Sequence, residues 1–361
     1  MTVHTCDTGP VRALPASVYV APETFTRARD RIFFRTWQYV CHESQIPEPG
    51  DYVAFTLIDQ DLFVIRGRDG GLKAFYNVCQ HRAHPLVEGS GRTKLLVCPY
   101  HAWTYELDGR LRGAPGAKRT AGFDRSQICL SGVKVESLLG FVFVNLDPEA
   151  ASLEETFPGV AEAARALCPD IETRVFADEH DAQEQCNWLV AVENYNECYH
   201  CGHVHLSFSN GVVDPESYDI QPFGAGPVLN HTAQPASGAG QWYDAHGSAY
   251  GSFFLFPAFS LQIYPGGLVN TYHWRPLEAG DTRVHRSWFS RDGVVDDQLQ
   301  DVIDRDRDTT FAEDLALVKA VQRGLTSRGY TPGPLVIAEE GGIASEHSIA
   351  ALHGWVREAL A

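Results

Sequence analysis

Cys79-Gln80-His81 is followed, after sixteen residues, by Cys98-Pro99-Tyr100-His101. Each short motif offers one thiolate and one imidazole. In a [2Fe-2S] centre of the Rieske type, two cysteines hold one iron and two histidines hold the other. Cys79, His81, Cys98 and His101 therefore make a complete ligand set for a one-electron carrier. A structural zinc also accepts Cys2His2. Zinc fingers, however, pair Cys with Cys and His with His, whereas each motif here mixes the two types. Asp69-Gly70-Gly71 precedes the strand-like Leu72 to Val78, and Asp108-Gly109 follows Trp103 to Leu107. Both motifs are thus expected at the tips of antiparallel strands.

Outward from this stretch, short alternating segments repeat at Tyr52 to Ile58, Leu62 to Gly67, Lys73 to Val78, Leu95 to Val97, Leu130 to Glu136 and Phe141 to Asn145. They predict an all-β [2Fe-2S] domain over residues 37–148. The helical candidate Pro22 to Trp37 places Phe25, Ala28 and Ile32 on one face. Residues 1–36 are accordingly read as a helical segment that packs on the domain after the β module, which makes that module an insertion. Leu153 to Leu167 reads as a linker helix. Beyond it come longer strands at Thr173 to His180, Ser252 to Tyr264, Leu268 to Pro276 and Thr282 to Arg291, with helices at about 187–201 and 297–326. Strands in runs with helices on one face predict an α+β domain over residues 149–361. Residues 210–250 are rich in Gly, Ser and Pro and read as long loops.

The bulk properties exclude several function classes. With 29 basic against 46 acidic residues the formal charge is −17, which opposes nucleic-acid and anionic-membrane partners and favours a small cationic one. No apolar run is long enough to span a membrane, and the first residues lack the pattern of a signal peptide, so the expected compartment is the cytoplasm. Nine cysteines, an odd number without a secreted-scaffold pattern, read as reduced thiols. Beyond Cys79 and Cys98, the remaining Cys6, Cys41, Cys129, Cys168, Cys186, Cys198 and Cys201 are expected to be unpaired. No G-x-G-x-x-G joins a strand to a helix, so electrons must come from a separate reductase drawing on NAD(P)H.

An electron carrier needs an acceptor, and Ala191 to His205 offers one. On a helix Glu193, Glu197 and His200 share a face. Acidic and imidazole groups beside Tyr195 and Tyr199 are costly to bury unless a cation takes their lone pairs. For a second histidine, helix geometry prefers His203, while Gly202 could end the helix and fold His205 back. Two histidines and a carboxylate on one face suit non-haem Fe(II) with open positions for O2 and substrate. Phe311, Leu315, Val318, Val321 and Leu325 mark a buried stripe that contains Asp314, whose charge must be paired. Glu313, one position round, is the competing carboxylate.

The chain resembles the large subunits of the Rieske non-haem iron oxygenases over nearly its whole length. The segments that carry this are Asn77 to His84, Cys98 to Trp103, Leu107 to Leu111, Glu197 to Cys201, Glu313 to Val318, Val321 to Tyr330 and Ser345-Glu346-His347. They are most similar to the branch acting on quaternary ammonium compounds such as carnitine, glycine betaine and proline betaine. The resemblance implies a helix-grip antiparallel sheet around a mononuclear iron held by His200, His205 and Asp314, with His203 as the fallback ligand. It also implies a homotrimer in which Glu197 carries electrons from the cluster of one subunit to the iron of the next. The doubled Gly202-His203-Val204-His205 departs from the pattern.

The function implied is oxidation of a small quaternary ammonium compound with O2 and reductase-supplied electrons. A flavin and iron-sulfur reductase is the expected partner, and either N-demethylation or C-N cleavage is the expected outcome. A permanent cation binds to aromatic faces, for which Tyr195, Phe208, Trp242, Tyr243, Phe253, Tyr264 and Trp288 are eligible. The rival readings are an oxygenase of aromatic rings or O-methyl ethers, and a non-catalytic Rieske electron carrier. The latter does not need some 200 further residues with a second histidine and carboxylate group.

Overall fold

The computed structural model describes residues 10–237, 240–242 and 249–361. Cys6 and Tyr243 lie outside them. Among the described residues, two seven-stranded antiparallel sheets and one three-stranded sheet make up the β structure. Among the described residues no helix is long and apolar enough to cross a membrane.

The first sheet runs Gln38–His42, Phe141–Asn145, Gly132–Leu138, Leu72–Tyr76, Gln60–Arg66, Asp51–Leu57 and Ser90–Arg92. Its entry and exit strands are neighbours, with Gln38 opposite Val144. The chain therefore leaves the β module beside the point where it came in. Strand Gln60–Arg66 shows the period of two directly. Phe63 and Ile65 face the small core below the cysteine motifs, while Leu62 and Val64 face the main core. The three short strands Leu96–Val97, Thr104–Tyr105 and Leu111–Gly113 carry the second cysteine motif.

The second sheet is a meander from Asp219–Pro222 through Val228–Ala233, Tyr250–Leu255, Phe259–Ile263 and Val269–Glu278 to Asp281–Ser290. Val175–Glu184 is added at the far edge beside Asp281–Ser290. The two sheets share a core, for Tyr39 of the first packs on Phe259 of the second at 4.7 Å. The amino-terminal helices Ala16–Val20 and Pro22–Ala28 touch the late helices Ala312–Leu325 and His347–Leu360. Beyond them, the fully buried Phe33 meets Trp188 edge-on at 5.0 Å.

The α+β class is as expected, and several element boundaries are not. The run Ser252 to Tyr264 is two strands, because Pro257 has no N–H for the ladder and sits in the turn between them. Residues 210–250, expected as loops, contain the edge hairpin Asp219–Pro222 and Val228–Ala233. The linker helix is broken at Pro158-Gly159, where Gly159 has φ of 80°. The late helix has a π turn, Arg307–Phe311, between Asp297–Asp306 and Ala312–Leu325.

Candidate metal centres and the cavity between them

The two cysteine motifs fold alike. Cys79 and Cys98 are buried and each is followed four residues on by an alanine in the left-handed region, Ala83 at φ 59° and Ala102 at φ 57°. Cys79 N–H donates to His84 O and Cys98 N–H to Trp103 O, at 3.0 and 2.8 Å. The His81 and His101 rings stand 4.6 Å apart, and His81 stacks on Trp103. Tyr105 brings the halves together: its hydroxyl is 3.2 Å from Cys79 Sγ, and both thiols raise its pKa after burial itself. His101 Nδ1 is buried without a partner. Two buried sulfurs, two facing imidazoles and an orphaned ring nitrogen fit a [2Fe-2S] cluster.

The second centre begins where the helix Trp188–Tyr195 stops. The helix expected to run to residue 201 ends at Asn196, whose side chain turns back to Val192 O at 2.7 Å and whose carbonyl accepts from Ser348 Oγ. Glu197 and His200 therefore lie on a turn rather than a helical face. Glu197 Oε2 accepts from the N–H of Tyr199 and of His200, and its Oε1 holds His200 Nδ1 at 2.5 Å. Cys198 and Cys201 are joined in a disulfide across this turn, contrary to the expectation of reduced thiols. The other described cysteines are free.

His205 opens the helix Leu206–Gly211. Its Nε2 is 2.9 Å from His200 Nε2 and 3.0 Å from Asp314 Oδ1, and the His200–Asp314 separation is 3.6 Å. Adjacent ligands about 2.1 Å from a shared ion stand roughly 3 Å apart, so this donor set fits a single divalent metal. Glu313 approaches from the other side, with Oε2 on His205 Nδ1 at 2.8 Å, and His203 is exposed. Asn194 Nδ2 donates to Asp314 Oδ1 at 2.9 Å. Cys201 also lies within 4.8 Å of both imidazoles, but the disulfide leaves it no thiolate.

The electrostatics follow from burial opposed by pairing. Burial works against the Asp314 carboxylate, yet the hydrogen bonds of His200 and His205 hold it below the usual range. Burial would push His200 down, but Asp314 and Glu197 outweigh it and raise it to about 9.

A cavity of about 70 Å³ opens from these groups and is walled by Tyr195, Tyr218, Tyr250, Tyr264 and Tyr272 together with Phe208, His231, Asp306 and Thr310. A second cavity of about 320 Å³, mostly apolar, lies against Asn194, Glu197 and His200 and is bounded by Leu317, Val318, Val321 and Ile349. Asn194, Glu197 and His200 thus line both. Two larger depressions, of about 540 and 740 Å³, meet at Arg174, and none of the converging ligands lines them.

Residues 36–127 match the Rieske [2Fe-2S] domain, and residues 171–361 match the catalytic domain of the ring hydroxylating alpha subunit. The chain belongs to the Rieske non-haem iron oxygenase large subunits. It is 34% identical over 343 residues to the carnitine monooxygenase oxygenase subunit of Escherichia coli strain K12, covering 94% of this chain and 91% of that protein. It is 30% identical over 359 residues to the chloroplastic choline monooxygenase of Spinacia oleracea, covering 96% and 78%. A crystal structure of a quaternary ammonium Rieske monooxygenase in complex with L-carnitine aligns with a TM-score of 0.89 at 32% identity, covering 98% of this chain and 96% of that one.

The cofactors of this oxygenase are a [2Fe-2S] cluster and a mononuclear iron. Of the aromatics singled out in its sequence, Tyr195, Phe208 and Tyr264 reach the cavity. Trp242 stands behind Phe208 and Trp288 behind Tyr264, while Phe253 packs on Phe223 in the core shared by the sheets. Tyr218, Tyr250, Tyr272, His231, Asp306 and Thr310 were not singled out. For two of the missed positions the sequence held the signal: Tyr250 is followed two residues on by Ser252, and Tyr272 is preceded two residues back by Asn270, so that each tyrosine shares a strand face with a polar group along buried stretches of strand. That pattern marks a wet cavity rather than a core.

Proposed function

We propose that the oxygenase oxidises a small quaternary ammonium compound at a carbon attached to nitrogen. The observation that carries this reading is the wall of five tyrosines beside the His200, His205 and Asp314 group. A permanent cation donates no hydrogen bond, so ring faces are the groups that can hold it, each for about 0.5–2 kcal/mol. The relatives named for carnitine and choline support the same substrate class.

His200, His205 and Asp314 would hold the mononuclear iron, which when bound supplies O2 activation and C–H oxidation with electrons from the cluster. Cys79, His81, Cys98 and His101 would hold that cluster. Glu197 orients His200 through Nδ1, and Glu313 orients His205 likewise, so that both Nε2 atoms face one point. The tyrosines place the ammonium methyl groups and exclude bulk water. Oxidation of an N-methyl group gives a hemiaminal that releases formaldehyde; oxidation of the longer arm beside nitrogen releases trimethylamine.

In this reading residues 37–148 carry the cluster, and 1–36 pack with 149–361 to form the catalytic body. The assembly is a homotrimer in the cytoplasm, served by a separate reductase. The apolar cavity against Glu197 would receive the exposed tips of a neighbour's cluster loops, where Tyr100 is 52% exposed.

The test is aerobic turnover of carnitine, choline and glycine betaine with a reductase and NAD(P)H, scoring formaldehyde and trimethylamine separately. Release of either product from any of the three is expected. Oxidation of arenes or O-methyl ethers with no product from a quaternary ammonium compound would overturn the reading.

A further inference from the structure

The hydroxyls around the substrate cavity are nearly all committed to the protein. Tyr195 bonds Ser252 and Ser260, Tyr218 bonds His231, Tyr250 bonds Gln262, and Tyr272 bonds Asp306. Asp306 in turn is paired with Arg286 at 2.5 Å, and both are almost fully buried. His231 is spent on Tyr218 and Asn196. Burial pushes its pKa down to about 3, so it is a neutral ring.

Thr310 differs. Among the described residues, its Oγ1 is the cavity-wall side-chain atom that is buried and has no hydrogen-bond partner. The neighbouring Thr309 shows what a helical threonine ordinarily does: its hydroxyl donates back to Arg305 O at 2.6 Å. Both residues sit in the π turn Arg307–Phe311, the irregular stretch of a helix that otherwise runs from Asp297 to Leu325. π turns of this kind concentrate at functional sites. This one sits one turn before Asp314, and Thr310 lines the wall beside it. A buried hydroxyl without a partner carries a desolvation cost that a ligand atom can remove.

We propose that Thr310 Oγ1 hydrogen-bonds the oxygen-bearing arm of the substrate, and so selects quaternary ammonium compounds that carry a hydroxyl or carboxylate over simple tetraalkylammonium ions. This rests on the quaternary-ammonium reading above. The aromatic faces recognise the charge, which every member of the class shares. Thr310 recognises the arm, which distinguishes one member from another.

The experiment compares choline with propyltrimethylammonium, its isostere without the oxygen, in the wild-type holoenzyme and in Thr310→Val and Thr310→Ser. Where another oxygen-bearing compound is turned over faster, it replaces choline and is paired with its own isostere. In Thr310→Val the ratio of the two KM values is expected to shift by roughly tenfold against the oxygen-bearing compound, with kcat changing less. Thr310→Ser is expected to restore the wild-type ratio. An unchanged ratio in Thr310→Val, or an equal rise in both KM values, overturns the proposal. Iron content and cluster absorption of each variant are measured alongside, and Thr310→Ala replaces the valine variant if the latter does not fold. Failure of the wild type to oxidise any quaternary ammonium compound defeats the underlying reading, and the substrate selection proposed for Thr310 falls with it.

Discussion

Asp314 and Glu313 are adjacent on one helix, yet the structure gives them different tasks. Asp314 points an oxygen at the space between two imidazoles, and Glu313 grips the far nitrogen of one of them. Removing each should therefore fail differently. Asp314→Ala is expected to lose the mononuclear iron and keep the cluster, so that metal analysis falls from about three irons per chain to about two while the reddish absorption persists. Glu313→Ala should keep the ligands and lower iron affinity by roughly 10–100-fold, read by competition with a chelator. Loss of the cluster absorption in either variant would show that the residue acts on the fold instead. Glu184 poses a separate question of charge. It is 5% exposed, and burial first, then Asp314, push its carboxyl up to about 8. The folded protein keeps a proton that the unfolded chain releases near the ordinary value of 4.5. Stability contributed by this group must then fall as pH rises from 4.5 to about 8, and level off above that. Denaturant midpoints measured across that range should decline in the wild type and decline less in Glu184→Gln. Identical slopes would mean that Glu184 is not the source.

At the scale of elements, the converging histidines depend on a turn rather than on a helix. Cys198 and Cys201 close a loop of four residues around His200, and Glu197 bonds two of its backbone N–H groups. Chain entropy assigns a loop this short a contribution of roughly 2 kcal/mol. Treatment with a dithiol should lower the unfolding free energy by about that amount and expose two more thiols to alkylation. Cys198→Ser should match the reduced wild type and no longer respond to the reagent. This turn also shows where sequence reasoning reaches its limit. Glu193, Glu197 and His200 are spaced as on a helix, and nothing local announces that Asn196 will bond back to Val192 and stop it. The cysteine motifs were legible because their thiols and imidazoles come in two short loops with turn signals beside them. Asp314 was legible because a charge interrupts an apolar stripe. The tyrosine wall as a whole was not, since its members come from a helix, the turn before an edge strand, two strands of the second sheet and the residue just past a third. Only the sheet order brings them to one place.

For the whole molecule the open question is the electron's route. Glu197 is shared by the walls of the tyrosine-lined cavity and of the apolar cavity behind it, the position that the proposed link between the two centres requires. In the proposed trimer that link crosses from one subunit to the next, as a closed ring with a head-to-tail interface permits. Two inactive variants can test this together. On the proposed ligand sets, Cys79→Ser removes a cluster ligand and leaves the iron site, whereas Asp314→Ala removes an iron ligand and leaves the cluster. If electrons stay within a subunit, no mixture of the two contains a complete path. If they cross, an iron-competent subunit whose donor neighbour keeps its cluster is complete. Subunits mixed in equal amounts and reassembled at random should then recover roughly a quarter of the wild-type rate. Adding Glu197→Gln to the Cys79→Ser subunit should remove most of that recovery while iron stays bound, because the carboxylate at issue belongs to the subunit that receives the electron. Zero activity in the reassembled mixture, with mixed trimers verified by mass, would place the transfer inside a single chain.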